Sequence, residues 1–389
     1  MKENERKPES GVFTGDAYPT VFSTYDLGVA RPKNRIVFPP WQLNYANTDG
    51  TVSDKLLEFN TALALGGCGI IITGCAVVSE DTVAFDRVMR IDDDRFIPGL
   101  RELFNAIEKR GSVPAIQLVH YGRQALSSVT GCELQVPSAI PCPVMSRLDP
   151  QYKMKEMTRE DIVRMAENFI DAAERAAKAG AKVVEVHAAH GYLLNQFLSP
   201  YSNCRTDEYG GSTVNRTRLV ADIIKGIRKR LGRDVIVSVR VSGNEFVEGG
   251  LTPRHYLEII PILEEAGMDV LNVSAGVYQS MERMLPPDTL GDAPHVSIAS
   301  ELKRYASVPV CAVGSIFSLA TAETILAAGD ADFVAMGRAQ MADPEIVRKS
   351  LEGRETEVRQ CIWCNNCAFW ATGDPHVFCS VNPAYQKEE

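Results

Sequence analysis

Short apolar, β-branched runs alternate along this chain with longer stretches of helical spacing. Residues 69–78 (GIIITGCAVV) are the plainest run: they have no polar face, the pattern of a strand covered on both sides in a parallel sheet. Ahead of them, residues 35–39 (RIVFP) predict a first short strand, and residues 54–65 a helix with Leu56, Leu57, Thr61, Leu63 and Ala64 along one side. The beat continues with a helix over 96–110, a strand over 114–120, a long loop rich in Pro, Ser and Cys, and a helix opening at Thr158. Thr158 and Asp161 have the spacing of a capping box, and Ile162, Ala166, Phe169, Ile170, Ala173 and Ala177 keep a helical period behind it. A buried strand over 183–187 follows, and the residues after it are polar or aromatic with no helical period. Four further units are predicted: helix 215–230 with strand 235–240, helix 253–266 with strand 270–274, helix 295–305 with strand 309–313, and helix 318–328 with strand 332–336. A last helix over 344–351 completes eight strands alternating with eight helices.

Eight strands with crossover helices close into a barrel, whereas an open doubly wound sheet of that size would be unusual. The expected fold is therefore α/β: a (β/α)8 TIM barrel over residues 30–355, an N-terminal arm over 1–29, and a small C-terminal cysteine-rich segment over 356–389. A length of 389 residues leaves room for long loops beyond the roughly 250 such a barrel needs. The net charge of -9, with no Lys/Arg run, argues against nucleic acid. No apolar run reaches about 18 residues, and the N-terminus (MKENERKPES) is charged, so neither a membrane span nor a signal peptide is expected. A cytoplasmic homo-oligomer is the expectation.

In a parallel barrel the ligand sits at the carboxyl ends of the strands. His187, His190 and Tyr192 leave the fourth strand together there, and for three such residues within six positions a merely structural role is the weaker reading. The other strand ends supply Pro39, Pro40, Trp41 and Gln42, then Gly74 and Cys75, Gln117 and His120, Arg240, Gly314 and Ser315, and Gly337 and Arg338. Glycines after the last two strands with an Arg at the eighth suit a phosphate, which needs close backbone approach and a fixed cation. Gln117 can donate and accept in one plane, and Arg240 can set positive charge beside a ring that takes up electrons. Together they outline a phosphorylated heterocyclic cofactor such as flavin mononucleotide (FMN), with the loop over 121–157 and the segment over 274–294 expected to wall the pocket.

The runs NRIVFPP, IQLVHYGRQA, VVEVHAAHGYLLNQFLSPYSNCRTDEYGGSTVNRTR, VSVRVSGN and FVAMGRAQMADP resemble the Old Yellow Enzyme family of FMN-dependent ene-reductases over nearly the whole barrel. The resemblance implies FMN held by backbone around Pro39, Pro40, Trp41 and Cys75, by Gln117 and Arg240 at its ring, and by Gly314, Ser315, Gly337 and Arg338 at its phosphate. It implies His187 and His190 bonding the carbonyl oxygen of an unsaturated substrate, Tyr192 as proton donor, and NAD(P)H as reductant.

Beyond the barrel, Cys361, Cys364, Cys367 and Cys379 stand in a C-x2-C-x2-C-x11-C spacing. Such grouped thiolates can wrap a [4Fe-4S] cluster, with a four-cysteine zinc site as the alternative. CIWCNNC with CSVNP resembles the iron-sulfur segment of the branch containing 2,4-dienoyl-CoA reductase and enoate reductase, although only Asn365 and Asn366 separate the second and third cysteines where that branch has three residues. No G-x-G-x-x-G follows a strand, so a separate reductase subunit or ferredoxin is the expected electron source unless NAD(P)H docks directly. Gln42 stands where many relatives have Thr or Cys, and the histidine that dienoyl-CoA reductases carry after the sixth strand is replaced near Tyr278. The expected activity is reduction of an activated C=C bond in an enone, enal or enoate. The alternatives are a dehydrogenase of an amine or cyclic ketone, or a non-catalytic electron-transfer subunit with zinc at its cysteines.

Overall fold

The computed structural model describes residues 17–82, 87–368 and 377–385, and its central element is a closed barrel of parallel strands. The strands are Ile36–Phe38, Ile70–Val77, Val113–Val119, Val183–Ala188, Ile236–Ser242, Val270–Ser274, Val310–Val313 and Phe333–Ala335. Each lies beside the next, and the ring closes where Val37 pairs with both Ile70 and Ala335. The covering helices are Asp54–Leu65, Ile97–Glu108, Arg159–Ala179, Thr213–Leu231, Tyr256–Ala266, Val296–Lys303, Leu319–Ala327 and Ile346–Leu351. The chain is thus a (β/α)8 TIM barrel.

Local chemistry explains where elements start and stop. The Ser53 hydroxyl accepts from the Leu56 amide at the start of the first helix, and Thr158 and Asp161 form a reciprocal capping box at the third. Gly180, at φ 109°, ends that third helix in the left-handed conformation. Ile162, Met165, Phe169 and Ile170 then bury one stripe of it.

Period-two alternation stacks the barrel interior in layers. Val37, Ile70, Ile72, Val113, Val183, Ile236, Val270 and Phe333 make an apolar floor, against which Tyr25 and Leu27 pack from the N-terminal side. One step up the layer is polar. Glu185, fully buried, accepts from Gln117 Nε2 at 2.8 Å, Ser238 Oγ at 2.9 Å and Asn272 Nδ2 at 2.8 Å. A further step of two residues brings His187 and Arg240, which pair across neighbouring strands, to the mouth.

Several local expectations are corrected. A short helix, Leu193–Leu198, follows the fourth strand where no helix was expected; all six residues are buried, so it has no polar face to create a period. The long loop after the third strand contains a small parallel sheet of Leu134–Val136 with Met154–Glu156. The helix expected from residue 253 begins as a 3-10 turn, Pro253–His255. Residues 1–16 of the expected arm and 369–376 and 386–389 of the cysteine-rich segment lie outside the described residues. Among the described residues no helix is long and apolar enough to cross a membrane.

Candidate active site

At the carboxyl ends of the strands the barrel opens into one cleft, roughly 1160 Å³ with its mouth included. Pro39, Pro40, Trp41, Gln42, Cys75, Gln117, His187, His190, Tyr192, Arg240, Gly314, Ser315, Gly337 and Arg338 all line it. Two residues grouped with them from the sequence do not. Gly74 sits in a bulge of the second strand that turns Cys75 inwards, and a Cβ there would come within 2.6 Å of the Trp41 carbonyl oxygen. His120 faces Asp81, with Nε2 3.4 Å from its carboxylate, and its Nδ1 accepts from the Gly122 amide.

The histidine wall depends on a sharp turn. His190 is in the left-handed region at φ 61°, followed by Gly191 at φ 79°, a conformation that costs on the order of 1–3 kcal/mol for a non-glycine residue. It folds the second imidazole back over the first: His190 Nδ1 faces His187 Nε2 at 3.4 Å, and His190 Nε2 bonds the Ser274 hydroxyl at 2.7 Å. Burial holds both imidazoles well below their ordinary range, helped at His187 by His190 and Arg240, and at His190 by Arg240 and His295. Each ring is therefore neutral near pH 7 with one N–H. A Ser274 hydroxyl donating to Nε2 keeps the His190 proton on Nδ1, the nitrogen facing His187. Two ring nitrogens at that separation can both reach one oxygen that stands about 2.9 Å from each, off the line joining them.

Tyr192 stands beside this pair, its ring edge-on to His187 at 4.9 Å and to Tyr121 at 5.1 Å. Burial raises its phenol above the ordinary range, so it keeps its proton at neutral pH. Across the cleft, Gln117 donates to Glu185 and accepts from Cys75 Sγ at 3.1 Å, which fixes the plane of its amide. Burial pushes the Cys75 thiol up to about 12, so it is a neutral donor. Arg240 is the unbalanced member. It is buried, and its Nε and Nη1 meet no hydrogen-bond acceptor among the described residues. A buried cation with idle donors suits an electron-rich or anionic ring, which is a fit for FMN.

On the other side Arg338 donates through Nη2 to Ser315 Oγ at 2.6 Å, and through Nη1 to the Pro286 carbonyl at 3.0 Å and Asn365 Oδ1 at 2.6 Å. Its partners are neutral, so its charge is left for an anion. Gly314, at φ 126°, has no room for a Cβ, which would lie 2.6 Å from the His295 ring.

Arg338 also borders a second, smaller pocket, lined by Cys361, Cys364, Cys367 and Cys379 together. The structure thus gathers all four grouped cysteines as free thiols around one space. No group of three or more His, Cys, Asp or Glu among the described residues is arranged to hold a metal ion. Arg338 lines both pockets, and Trp41 of the cleft ties them further, its indole N–H donating to the Cys367 carbonyl at 2.8 Å.

Residues 20–357 match the NADH:flavin oxidoreductase / NADH oxidase family. The chain belongs to that family. It is an oxidoreductase of the Old Yellow Enzyme type. It is 40% identical over 377 residues to an NADH oxidase of Thermoanaerobacter brockii, covering 95% of this chain and 57% of that one. A cinnamate reductase of Clostridium sporogenes is 32% identical over 396 residues, covering 96% and 59%. An NADPH dehydrogenase of Clostridium acetobutylicum is 35% identical over 331 residues, covering 85% of this chain and 94% of its own. Among solved structures, 2-naphthoyl-CoA reductase superposes with a TM-score of 0.89 at 29% identity, covering 94% and 57%. Histamine dehydrogenase from Rhizobium sp. 4-9 gives 0.85 at 26%, covering 95% and 53%. The chain spans little more than half the length of these larger relatives.

In this Old Yellow Enzyme-type cleft His295 was not among the expected residues, Ser274, Met281, Met284 and Leu285 were expected only as part of the segment over 274–294, and Tyr278 only as a replacement. The segment after the sixth strand lines the cleft as expected. The loop over 121–157 instead backs it: Leu126, Cys142, Val144, Met145 and Tyr152 pack behind Tyr192 and Tyr278. A serine at a strand end carries no pattern of its own, so only the fold exposes its partner.

Proposed function

We propose that this chain reduces the activated C=C bond of an enone, enal or enoate with FMN lying over the barrel mouth. Backbone around Pro39, Pro40, Trp41 and Cys75, the side chains of Gln117 and Arg240, and Gly314, Ser315, Gly337 and Arg338 would hold ring and phosphate. Bound there, FMN supplies the hydride, drawn from NAD(P)H or another donor. His187 and His190 would replace the bond between their facing nitrogens with two N–H donors to the substrate carbonyl oxygen, where charge develops as the β-carbon is reduced; one such donor is worth roughly 3–4 kcal/mol in comparable sites. Tyr192 gives its proton to the α-carbon, which is far more basic than a phenolate. The observation that carries this reading is the shared wall of the cleft: two neutral imidazoles whose nitrogens face each other at 3.4 Å, with the protonated Tyr192 alongside.

The gathering of the four cysteines supports a [4Fe-4S] segment over residues 356–389, appended to a barrel over 30–355. A zinc ion would draw its four sulfurs to about 2.3 Å from one centre, whereas a cube of four irons holds them further apart around a pocket. The cluster would exchange single electrons with a separate reductase subunit or ferredoxin. Iron and sulfide analysis with a visible spectrum tests this; stoichiometric zinc in a protein without iron would overturn it.

A second reading, oxidation of an amine with electrons leaving through the cysteine segment, is favoured by the likeness to histamine dehydrogenase over 95% of the chain. Substituting Tyr192→Phe separates the two roles of the cleft. Flavin content and flavin reduction should stay unchanged, while anaerobic reoxidation by 2-cyclohexenone slows by about a hundredfold or more. Unchanged reoxidation would remove Tyr192 as donor.

A further inference from the structure

We propose that Tyr278 is a positioning residue for the proton donor: its hydroxyl donates to the Tyr192 oxygen, holds the phenolate left when Tyr192 protonates substrate, and passes on the replacement proton. The proposal rests on Tyr192 being that donor.

Tyr192 caps the short helix after the fourth strand, and Tyr278 opens a 3-10 turn after the sixth. Their hydroxyls are 3.0 Å apart, with the rings at 75°. The loops that carry them are tied together, because His190 bridges to Val277 in parallel register. Ser280 anchors the turn: its hydroxyl donates to the Glu245 carbonyl at 2.6 Å and accepts from the Val277 amide at 3.0 Å. The oxygen-oxygen contact is therefore set by two backbones rather than by mobile side chains.

Each phenol has a single proton, so only one of the pair can donate across that contact. If Tyr192 donated to Tyr278, its proton would point away from substrate and the wall would be idle. With Tyr278 as donor, the Tyr192 proton turns into the cleft beside His187. The surroundings make this assistance valuable, since Cys142, Met145, Met281 and Met284 pack around the two rings. A phenolate in such an apolar shell is costly without a donor aimed at it. Burial raises both phenols, so each holds its proton at neutral pH and the pair meets the substrate fully protonated.

The proton balance is simple. The Tyr192 O–H bond breaks as the C–H bond at the α-carbon forms. The Tyr278 proton moves to the Tyr192 oxygen in the same step, and water at the open mouth of the cleft restores Tyr278 after product leaves. One solvent proton is consumed per turnover.

The test compares Tyr278→Phe, Tyr192→Phe and the double variant as flavin-loaded full chains, following anaerobic reoxidation of reduced flavin by 2-cyclohexenone in H2O–D2O mixtures. Tyr278→Phe should slow reoxidation roughly tenfold to a hundredfold, the value of a hydrogen bond to a charged oxygen, with flavin reduction unaffected. It should also turn a curved proton inventory linear, and the double variant should be no slower than Tyr192→Phe. Independently of any substrate, NMR of protein carrying tyrosine labelled with 13C at the phenol carbon should show the Tyr192 resonance move in Tyr278→Phe. Unchanged reoxidation and an unmoved resonance in Tyr278→Phe would overturn the relay alone, as would additive effects in the double variant. Fast reoxidation in Tyr192→Phe would overturn the donor reading and the relay with it.

Discussion

Arg240 offers a trade between stability and cofactor binding that can be worked from the structure. Its guanidinium is 6% exposed, two of its nitrogens have no acceptor among the described residues, and it faces His187 across the fifth and fourth strands. Substitution with Met keeps the length and apolar stem while removing the charge. In protein stripped of flavin this should stabilise the fold by on the order of 1–4 kcal/mol, the gain seen when buried charge is replaced by well-packed apolar atoms. FMN binding should move the other way. Losing hydrogen bonds to a charged group costs about 1.5–3 kcal/mol, which weakens Kd by roughly 10- to 150-fold. Urea denaturation of the flavin-free protein gives the first quantity, and quenching of free FMN fluorescence on titration gives the second. A Met variant that is less stable without flavin, yet binds FMN as tightly as the parent, would show that Arg240 is a structural cation and refute the reasoning.

Glu185→Ala should cost about 3 kcal/mol or more in denaturant unfolding, because Gln117, Ser238 and Asn272 would each lose a buried acceptor; a loss below about 1 kcal/mol would contradict the polar layer as described. His187 and His190 are held below their unfolded range, so below about pH 6.5 the unfolded chain binds protons that the folded chain refuses. Stability should therefore be flat above that point and fall with acid by up to about 1.4 kcal/mol per pH unit for each histidine, a slope that should weaken when either is changed to Asn. A pH-independent midpoint between pH 5 and 7 would exclude this. Gly74→Ala should destabilise by about 1–3 kcal/mol and lower flavin content, since the added methyl meets a backbone carbonyl at 2.6 Å; normal flavin content would argue against the bulge shaping the site.

The barrel was legible because its strands are short apolar runs and its helices have a clear stripe. The first helix and the sixth strand, Asp54–Leu65 and Val270–Ser274, keep their expected ends. Elements buried all round left no such mark. Leu193–Leu198 has no exposed residue to give a period, and the three-residue strands Leu134–Val136 and Met154–Glu156 are too short for alternation to register. The site followed from fold closure, which brings strand ends to one mouth. What failed at the mouth was side-chain direction: His120 lies just past the end of the third strand and turns to Asp81 instead of the cleft. Ser274 and Tyr278 were hidden for another reason. Their importance lies in the atoms they meet, His190 Nε2 and the Tyr192 hydroxyl, and those meetings are set by loops that no local pattern encodes.

The central claim, that the cleft passes hydride to an activated C=C bond, meets its most direct test in a single anaerobic mixing experiment. Reduced wild-type protein is mixed with 2-cyclohexenone, and oxidised protein is mixed in parallel with a primary amine such as histamine, while visible flavin absorbance is followed. The enone should restore the oxidised flavin spectrum, and the amine should leave it unbleached. Bleaching by the amine with no reoxidation by the enone would contradict the claim and favour the dehydrogenase.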